Sequence, residues 1–483
     1  MVFSSHLFVF WFLPFVLGLY YVVPVRRRTL LLTLLSYLFY GWANPLFVLL
    51  MFGSTVVDYF CGLVIAAPAT DPDGTLNPLP RDGPRTRKQR LALLVSIVTN
   101  LSLLGFFKYF NFFSDSINEI AQMMGAAGPL FERTLNVTLP LGISFYTFQS
   151  MSYSIDCYRG DAKAIRRFVD FSCYVSLFPQ LVAGPIIRFQ EVADQIVSRT
   201  HTLEKFARGI AFFSIGMMKK IWLANPCGNM ADLVFDAEHV TTLDAWTGVL
   251  AYAFQIYFDF SAYTDMAIGL GLMIGFVFPK NFDSPYHAAT ITEFWRRWHI
   301  SLSTWLREYL YIPLGGNRRG HTRTYINLAL VMLIGGLWHG AAWTFVIWGG
   351  IHGLFLALER FLIPRCPRVT LPRVFGVGYT FFITCLAWIF FRSDTAPAAM
   401  GLIRTLFTPG AHANASLITA QLHTPYFLLS LLTAVGITWF APQTWDWTRR
   451  MGPVKVTVVI FALFSSVAFM TIQAFNPFIY FIF

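Results

Sequence analysis

The chain has 483 residues, 56% of them hydrophobic and 13% charged, with 50 phenylalanines and a formal net charge of +11. A soluble domain carries about 25% charged residues, so this composition excludes an ordinary soluble fold and, with its repeated runs of ~20 apolar residues, indicates a polytopic membrane protein. The positive charge lies in short segments between apolar runs, the pattern of cytoplasmic loops rather than of a nucleic-acid-binding face.

Taken in order, residues 7–23 read as a first span. No basic segment precedes them and no small-x-small site follows, so a cleaved leader is not expected. Arg26, Arg27 and Arg28 come next, which places the N-terminus outside. Two spans flank a turn at Asn44-Pro45 and end before Ala67. The polar segment 67–90 holds Arg81, Arg85, Arg87, Lys88 and Arg90 and reads as cytoplasmic. Span four covers 91–107, and the loop with Asp115, Glu119, Glu132 and Arg133 is expected outside. Span five starts at Leu139 and ends at Asp156. The apolar stretch 168–187 contains Pro179 and Pro185, which break helices; a re-entrant hairpin keeps the following Arg188, Arg199, Lys205 and Arg208 on the cytoplasmic side. Span six, 206–223, carries Lys219 and Lys220, which are expected to snorkel. An acidic outer loop at 225–244 precedes span seven, 245–278, too long for one straight crossing. Residues 280–323 read as an interfacial helix and loop. Spans at 325–342, 343–361, 375–391, 426–440 and 454–474 complete the chain. The expectation is an all-α fold: one transmembrane domain over 1–483, with about 11 or 12 spans plus re-entrant and interfacial helices. The six scattered cysteines, with no Cys-x-x-Cys pair, read as small core residues.

Two histidines organise the chemistry. His339, in Gly335-Gly336-Leu337-Trp338-His339-Gly340, lies in an almost uncharged run. A continuous helix entering near Tyr325 would carry it roughly 21 Å inward, past the bilayer midplane. A titratable ring at that depth is a functional-site candidate, with three roles open: structural hydrogen-bonder, ion ligand or general base. His299 follows Trp295, Arg296, Arg297 and Trp298, which on residue type alone read as an interfacial anchor. His352, thirteen residues beyond His339, falls on the opposite face of one continuous helix and reads as structural. The loop Gly315-Gly316-Asn317-Arg318-Arg319-Gly320 resembles an ordinary basic turn as much as a phosphate cradle. Asp259, Ser261, Tyr263 and Asp265 put polar groups into an apolar run, as cavity lining or as a packing network. Glu293 and Glu308 are expected to pair with nearby arginines. No metal motif is present in the sequence.

The order of motifs adds a resemblance. Leu139-Pro140-Leu141-Gly142-Ile143-Ser144-Phe145, Phe178-Pro179-Gln180-Leu181-Val182-Ala183-Gly184-Pro185, Asp259-Phe260-Ser261-Ala262-Tyr263-Thr264-Asp265, Trp295-Arg296-Arg297-Trp298-His299-Ile300-Ser301, Tyr309-Leu310-Tyr311-Ile312-Pro313-Leu314-Gly315-Gly316-Asn317, Trp338-His339-Gly340 and the terminal Asn476-Pro477-Phe478 follow one another along the chain. Together they resemble the membrane-bound O-acyltransferase family, in its bacterial branch of alginate O-acetyltransferase membrane subunits. The resemblance implies helices around a tunnel or funnel, His339 as the essential histidine and His299 as the second site residue. It implies no bound cofactor, with acetyl-CoA as the cytoplasmic acyl donor. It further implies an exported polysaccharide acceptor, a periplasmic acetyltransferase partner of SGNH type, and a multi-pass place among the lipids of the bacterial inner membrane. Arg296, Arg297, Arg318 and Arg319 become candidate donor-binding residues. Trp298, Trp338, Asp259, Ser261, Tyr263, Asp265 and Gln180 become candidate tunnel-lining residues. A transporter without chemistry, working through Asp259 and Asp265, is the alternative that the residues leave open.

Overall fold

A computed structural model describes residues 1–71, 75–126, 128–131, 137–362, 372–409, 416–473 and 478. Glu132, Arg133, Cys366, Asn476 and Pro477 lie outside the described residues. Among the described residues the chain is all-helical, without a strand ladder. Among the described residues, five helical segments are long and apolar enough to cross a membrane: Pro45–Ala69, Arg87–Met123, Trp343–Leu362, Arg373–Arg392 and Pro453–Ile472. Leu7–Val22, Ala396–Phe407 and Pro425–Phe440 are shorter apolar helices. The fold is that of a polytopic membrane protein. Among the described residues, several of the apolar runs are interrupted or carry charge, so their helices are shorter than the runs.

The chain packs as two compact units. The first comprises 1–206 and 271–279. It contains α1 (Leu13–Val22), α2 (Val25–Gly41), α3 (Pro45–Ala66), α4 (Arg87–Met123), α5 (Ile143–Arg159), α6 (Phe168–Ser176), α7 (Phe178–Leu181) and α8 (Phe189–Val197). Asn44 caps α3 by accepting from the Leu46 amide at 3.0 Å, with Pro45 in the first turn where its missing N–H costs nothing. Thr86 and Gln89 form a capping box that opens α4. That helix runs on through Asp115 and Glu119, expected in a loop, because no Gly or Pro interrupts it between Gly105 and Gly125. Helices α3, α4 and α5 meet around the buried Asp58 carboxylate, which accepts from Ser96 Oγ at 2.6 Å and Asn100 Nδ2 at 2.8 Å. The stretch 168–187 is indeed broken: α6 stops at Ser176, α7 restarts with Pro179 in its first turn, and nearly all of it is buried.

The second unit comprises 207–270 and 280–483. It holds most of α9 (Leu203–Met218), α10 (Asn225–Phe235) and most of α11 (Thr242–Met273), then α12 (Ile291–Arg297), α13 (Ile300–Leu306), α14 (His321–His339), α15 (Trp343–Leu362) and α16 (Arg373–Arg392). After these come α17 (Ala396–Phe407), α18 (Ser416–Leu422), α19 (Pro425–Phe440), α20 (Thr444–Trp447) and α21 (Pro453–Ile472). A wide i→i+5 turn at Lys219–Ala224 joins α9 to α10. The expected outer loop from Asn225 is therefore helical as far as Phe235; Pro226 sits in the first turn of α10, where proline starts a helix rather than stopping one. Helices α14 and α15 form an antiparallel hairpin with a glycine seam. A Cβ on Gly336 would collide with the Phe345 carbonyl, and one on Gly349 with the Met332 carbonyl. The seam brings two backbones into contact, as small residues do between membrane helices.

Candidate active site

His339 is the last residue of α14, not the middle of a span. The chain leaves the helix at Gly340, which is extended at φ −156°, and turns back into α15 at Trp343. The Phe345 ring fills the space that a side chain at 340 would need, so a larger residue there would have to displace that ring. The imidazole is 6% exposed. Its ring stands edge-on to Trp338, Trp348 and Phe391 at centroid distances of 5.0, 5.1 and 5.3 Å.

His299 sits between α12 and α13 with φ 43° and ψ 55°, one of two non-glycine residues with positive φ among the described residues. A left-handed conformation of this kind costs of order 1–3 kcal/mol and persists only where its surroundings hold it. Here they do. Ile300 N–H donates to Asn281 O at 2.9 Å, and Ser301 Oγ to Asn281 Oδ1 at 2.9 Å. Asp283 N–H donates to Arg297 O at 2.9 Å, while Arg297 Nη1 donates to Asp283 O at 2.9 Å. The sharp bend turns the imidazole inward. It is fully buried, 4.7 Å from the Phe260 ring and 6.2 Å from the His339 ring between centroids. The interfacial-anchor reading is overturned, because Trp298 and His299 are both core residues. Burial lowers the His299 pKa below the usual imidazole value and keeps the ring neutral. Neither ring nitrogen has a hydrogen-bond partner among the described residues, so both are open to a bound group or water.

His352, read from sequence as lying on the far face, belongs to the same aromatic cluster. The break at Gly340 folds α15 back, and the one-helix geometry no longer applies. The Trp348 ring lies between the two histidines, 5.1 Å from each. His352 Nδ1 accepts from Trp295 Nε1 at 3.3 Å, and its ring stacks on Phe294 at 6.0 Å. Two turns further along α15, the buried Glu359 carboxylate accepts from the Ile291 amide, and from the Thr292 amide and hydroxyl at 2.9 and 2.8 Å. It satisfies the free N–H groups that open α12. Helix α15 therefore holds the segment that presents His299. Glu359→Ala is expected to cost about 1–3 kcal/mol, the cost of uncapped buried amides, and to lower turnover more than donor affinity. Thermal unfolding together with kcat and KM tests this.

The remaining candidates are placed as follows. Arg296, Arg318 and Arg319 are exposed. Arg297 is committed to Glu293 at 2.9 Å, and Glu293 also meets Arg373 at 3.2 Å. Glu308 pairs with Arg307 at 2.9 Å. Trp298 packs against Phe294 and Trp388 at 5.5 and 5.0 Å. Asp259 and Asp265 form ion pairs: Lys220 Nζ–Asp259 Oδ1 at 2.8 Å and Lys219 Nζ–Asp265 Oδ2 at 2.7 Å, with Thr444 Oγ1 donating to Asp265 at 2.7 Å. The two lysines thus point inward rather than snorkelling, because buried carboxylates on α11 face them. Ser261 is buried and Tyr263 stacks on Phe478 at 4.5 Å. Gln180 belongs to the first unit, where its Nε2 donates to Tyr174 O at 2.8 Å. The described cysteines, Cys61, Cys157, Cys173, Cys227 and Cys385, are free and buried, as core residues are. Sequence reading missed Glu359 and Asn281, and it placed His352 on the far face and the two lysines at the membrane surface. The available signal was charge count: Lys219 and Lys220 match Asp259 and Asp265 in number.

Among the described residues, an all-helical membrane fold holds two inward-turned imidazoles in an aromatic enclosure, a candidate site for acid–base chemistry. A family model described as MBOAT, the membrane-bound O-acyltransferase family, matches residues 162–393. A probable alginate O-acetylase AlgI of Pseudomonas aeruginosa is 48% identical over 87% of this chain and 78% of its own length. A probable alginate O-acetylase AlgI of Pseudomonas putida is 42% identical over the whole of both chains. A peptidoglycan O-acetyltransferase of Helicobacter pylori is 39% identical over 84% of this chain and 79% of its own. The chain belongs to the membrane-bound O-acyltransferase family, and its activity is that of an O-acyltransferase.

Proposed function

We propose that this protein moves an acetyl group from acetyl-CoA towards the hydroxyl groups of an exported polysaccharide, from the bacterial inner membrane with its N-terminus outside, through a periplasmic acetyltransferase of SGNH type. The observation that carries the reading is the His299–His339 pair, buried and 6.2 Å apart. That spacing puts both imidazoles within reach of one reacting group. His339 takes the proton of the attacking hydroxyl as general base. The new acyl C–O bond forms as the C–S bond breaks. His299, neutral through burial, is suited to donate an N–H hydrogen bond to the developing oxyanion rather than to act as an acid. A thiolate, with a parent thiol pKa near ~8.5, leaves without an acid. The names of the relatives, alginate O-acetylase and peptidoglycan O-acetyltransferase, support an acetyl group and a polysaccharide acceptor. Exposed Arg296, Arg318 and Arg319 are available to the phosphates of a CoA donor.

The test is reconstitution of the purified protein in vesicles with acetyl-CoA labelled in the acetyl group. Label appearing on an acceptor protein or sugar, with free CoA released, is the expected result. Uptake of intact donor without release of CoA would replace the enzyme with a transporter.

A further inference from the structure

The second unit contains an apolar cleft of about 630 Å³ between the α9–α10 turn, α19 and α21. Met218, Trp222, Leu429, Ile437, Val458 and Phe469 form its walls. From Val458 to Phe469 the cleft follows α21 for roughly 17 Å at ~1.5 Å per residue. That is close to half of the ~30 Å hydrocarbon core, the depth of one leaflet. A single alkyl chain fits it.

The two ends of the cleft differ. At the Phe469 end it is closed by a neutral knot. Gln473 Nε2 donates to Tyr426 Oη at 3.2 Å, and Asn225 Nδ2 donates to Gln473 Oε1 at 3.0 Å. At the other end stand Trp447 and a basic group. Lys455 Nζ lies 5.1 Å from the centre of the Trp447 ring and donates to Trp447 O at 2.6 Å and Arg450 O at 2.9 Å. Arg450 is exposed. Tryptophan with Lys and Arg at the start of an apolar helix marks a membrane–water interface. Basic groups beside an opening between helices favour anionic headgroups. The outer walls face lipid as well: Leu429 and Leu432 of α19 and Phe464 of α21 are exposed.

We infer that this cleft is a binding site for one anionic phospholipid, an acyl chain lying along α21 and the headgroup phosphate held by Arg450 and Lys455. The inference does not depend on the acyl-transfer reading. Its readout is lipid retention, not turnover.

The experiment compares the full chain and two variants by native mass spectrometry, after detergent exchange and exposure to vesicles of phosphatidylglycerol or phosphatidylcholine. Thr433→Trp fills the cleft from an exposed position of α19 and leaves the core untouched. Arg450→Glu reverses the charge at the mouth. The wild-type chain is expected to retain a single phosphatidylglycerol and to prefer it over phosphatidylcholine. Thr433→Trp is expected to lose the retained lipid. Arg450→Glu is expected to reduce the preference by roughly an order of magnitude or more. Melting temperatures without lipid confirm that both variants fold. Equal retention of the two lipids by the wild-type chain overturns the inference. So does undiminished retention by a folded Thr433→Trp variant, or recovery of a free fatty acid or detergent in the lipid's place.

Discussion

His339→Ala is expected to lower acyl transfer by about 10²–10⁴-fold, the range that a positioned general base contributes. The ring is buried against aromatic rings on neighbouring residues, so its truncation also leaves a cavity and lowers the unfolding temperature; rates per folded protein separate the two effects. His339→Gln distinguishes the roles. Glutamine can donate and accept hydrogen bonds but cannot take a proton, so a structural histidine would be largely replaced by it and a base would not. His299→Gln is expected to be the milder change, because an amide N–H can still reach an oxyanion. Acetyl content of the polymer in cells, with single-turnover rates on the purified protein, separates these outcomes. Wild-type acetylation by His339→Ala would remove that residue from the chemistry.

Composition and apolar runs were enough to read an all-helical membrane protein, and motif order pointed to the two histidines. Their setting was not legible. Hydropathy carries a run through Gly340 because glycine and alanine are apolar enough for a span. The structure shows the break: Gly340 is extended, and the Phe345 ring packs where a side chain at 340 would sit. That one break changes two readings: His339 moves to a helix terminus, and His352 moves from the far face to the same aromatic cluster. His299 shows the opposite difficulty. Trp and Arg around it have the residue types of an interface, yet a left-handed backbone pinned by Asn281 and Asp283 turns it inward. Those partners lie 18 and 16 residues earlier, beyond any local periodicity.

Breaking the Lys220–Asp259 ion pair from one side is expected to have the largest effect on stability. Both side chains are nearly inaccessible, 4% and 1% exposed, at a separation of 2.8 Å. Lys220→Met leaves the Asp259 carboxylate buried without its cation, a loss that typically costs about 3–5 kcal/mol. Replacing both members, Lys220→Met with Asp259→Leu, is expected to recover most of that loss, because two apolar side chains of similar size remove the charge together with its need for a partner. Lys219→Met should be milder, since Lys219 and Asp265 are each 13% exposed and Thr444 still donates to Asp265. The measurement is unfolding temperature in detergent for the three variants. Catalysis adds a second readout. Phe260, the next residue after Asp259, packs its ring 4.7 Å from His299. A shift of α11 caused by an unpaired Asp259 therefore reaches the imidazole directly. If the double variant regains stability but not turnover, the pair fixes the geometry of His299. If it regains both, the pair serves packing alone, and the conformation of His299 rests on the Asn281 and Asp283 clamp and on Glu359 of α15.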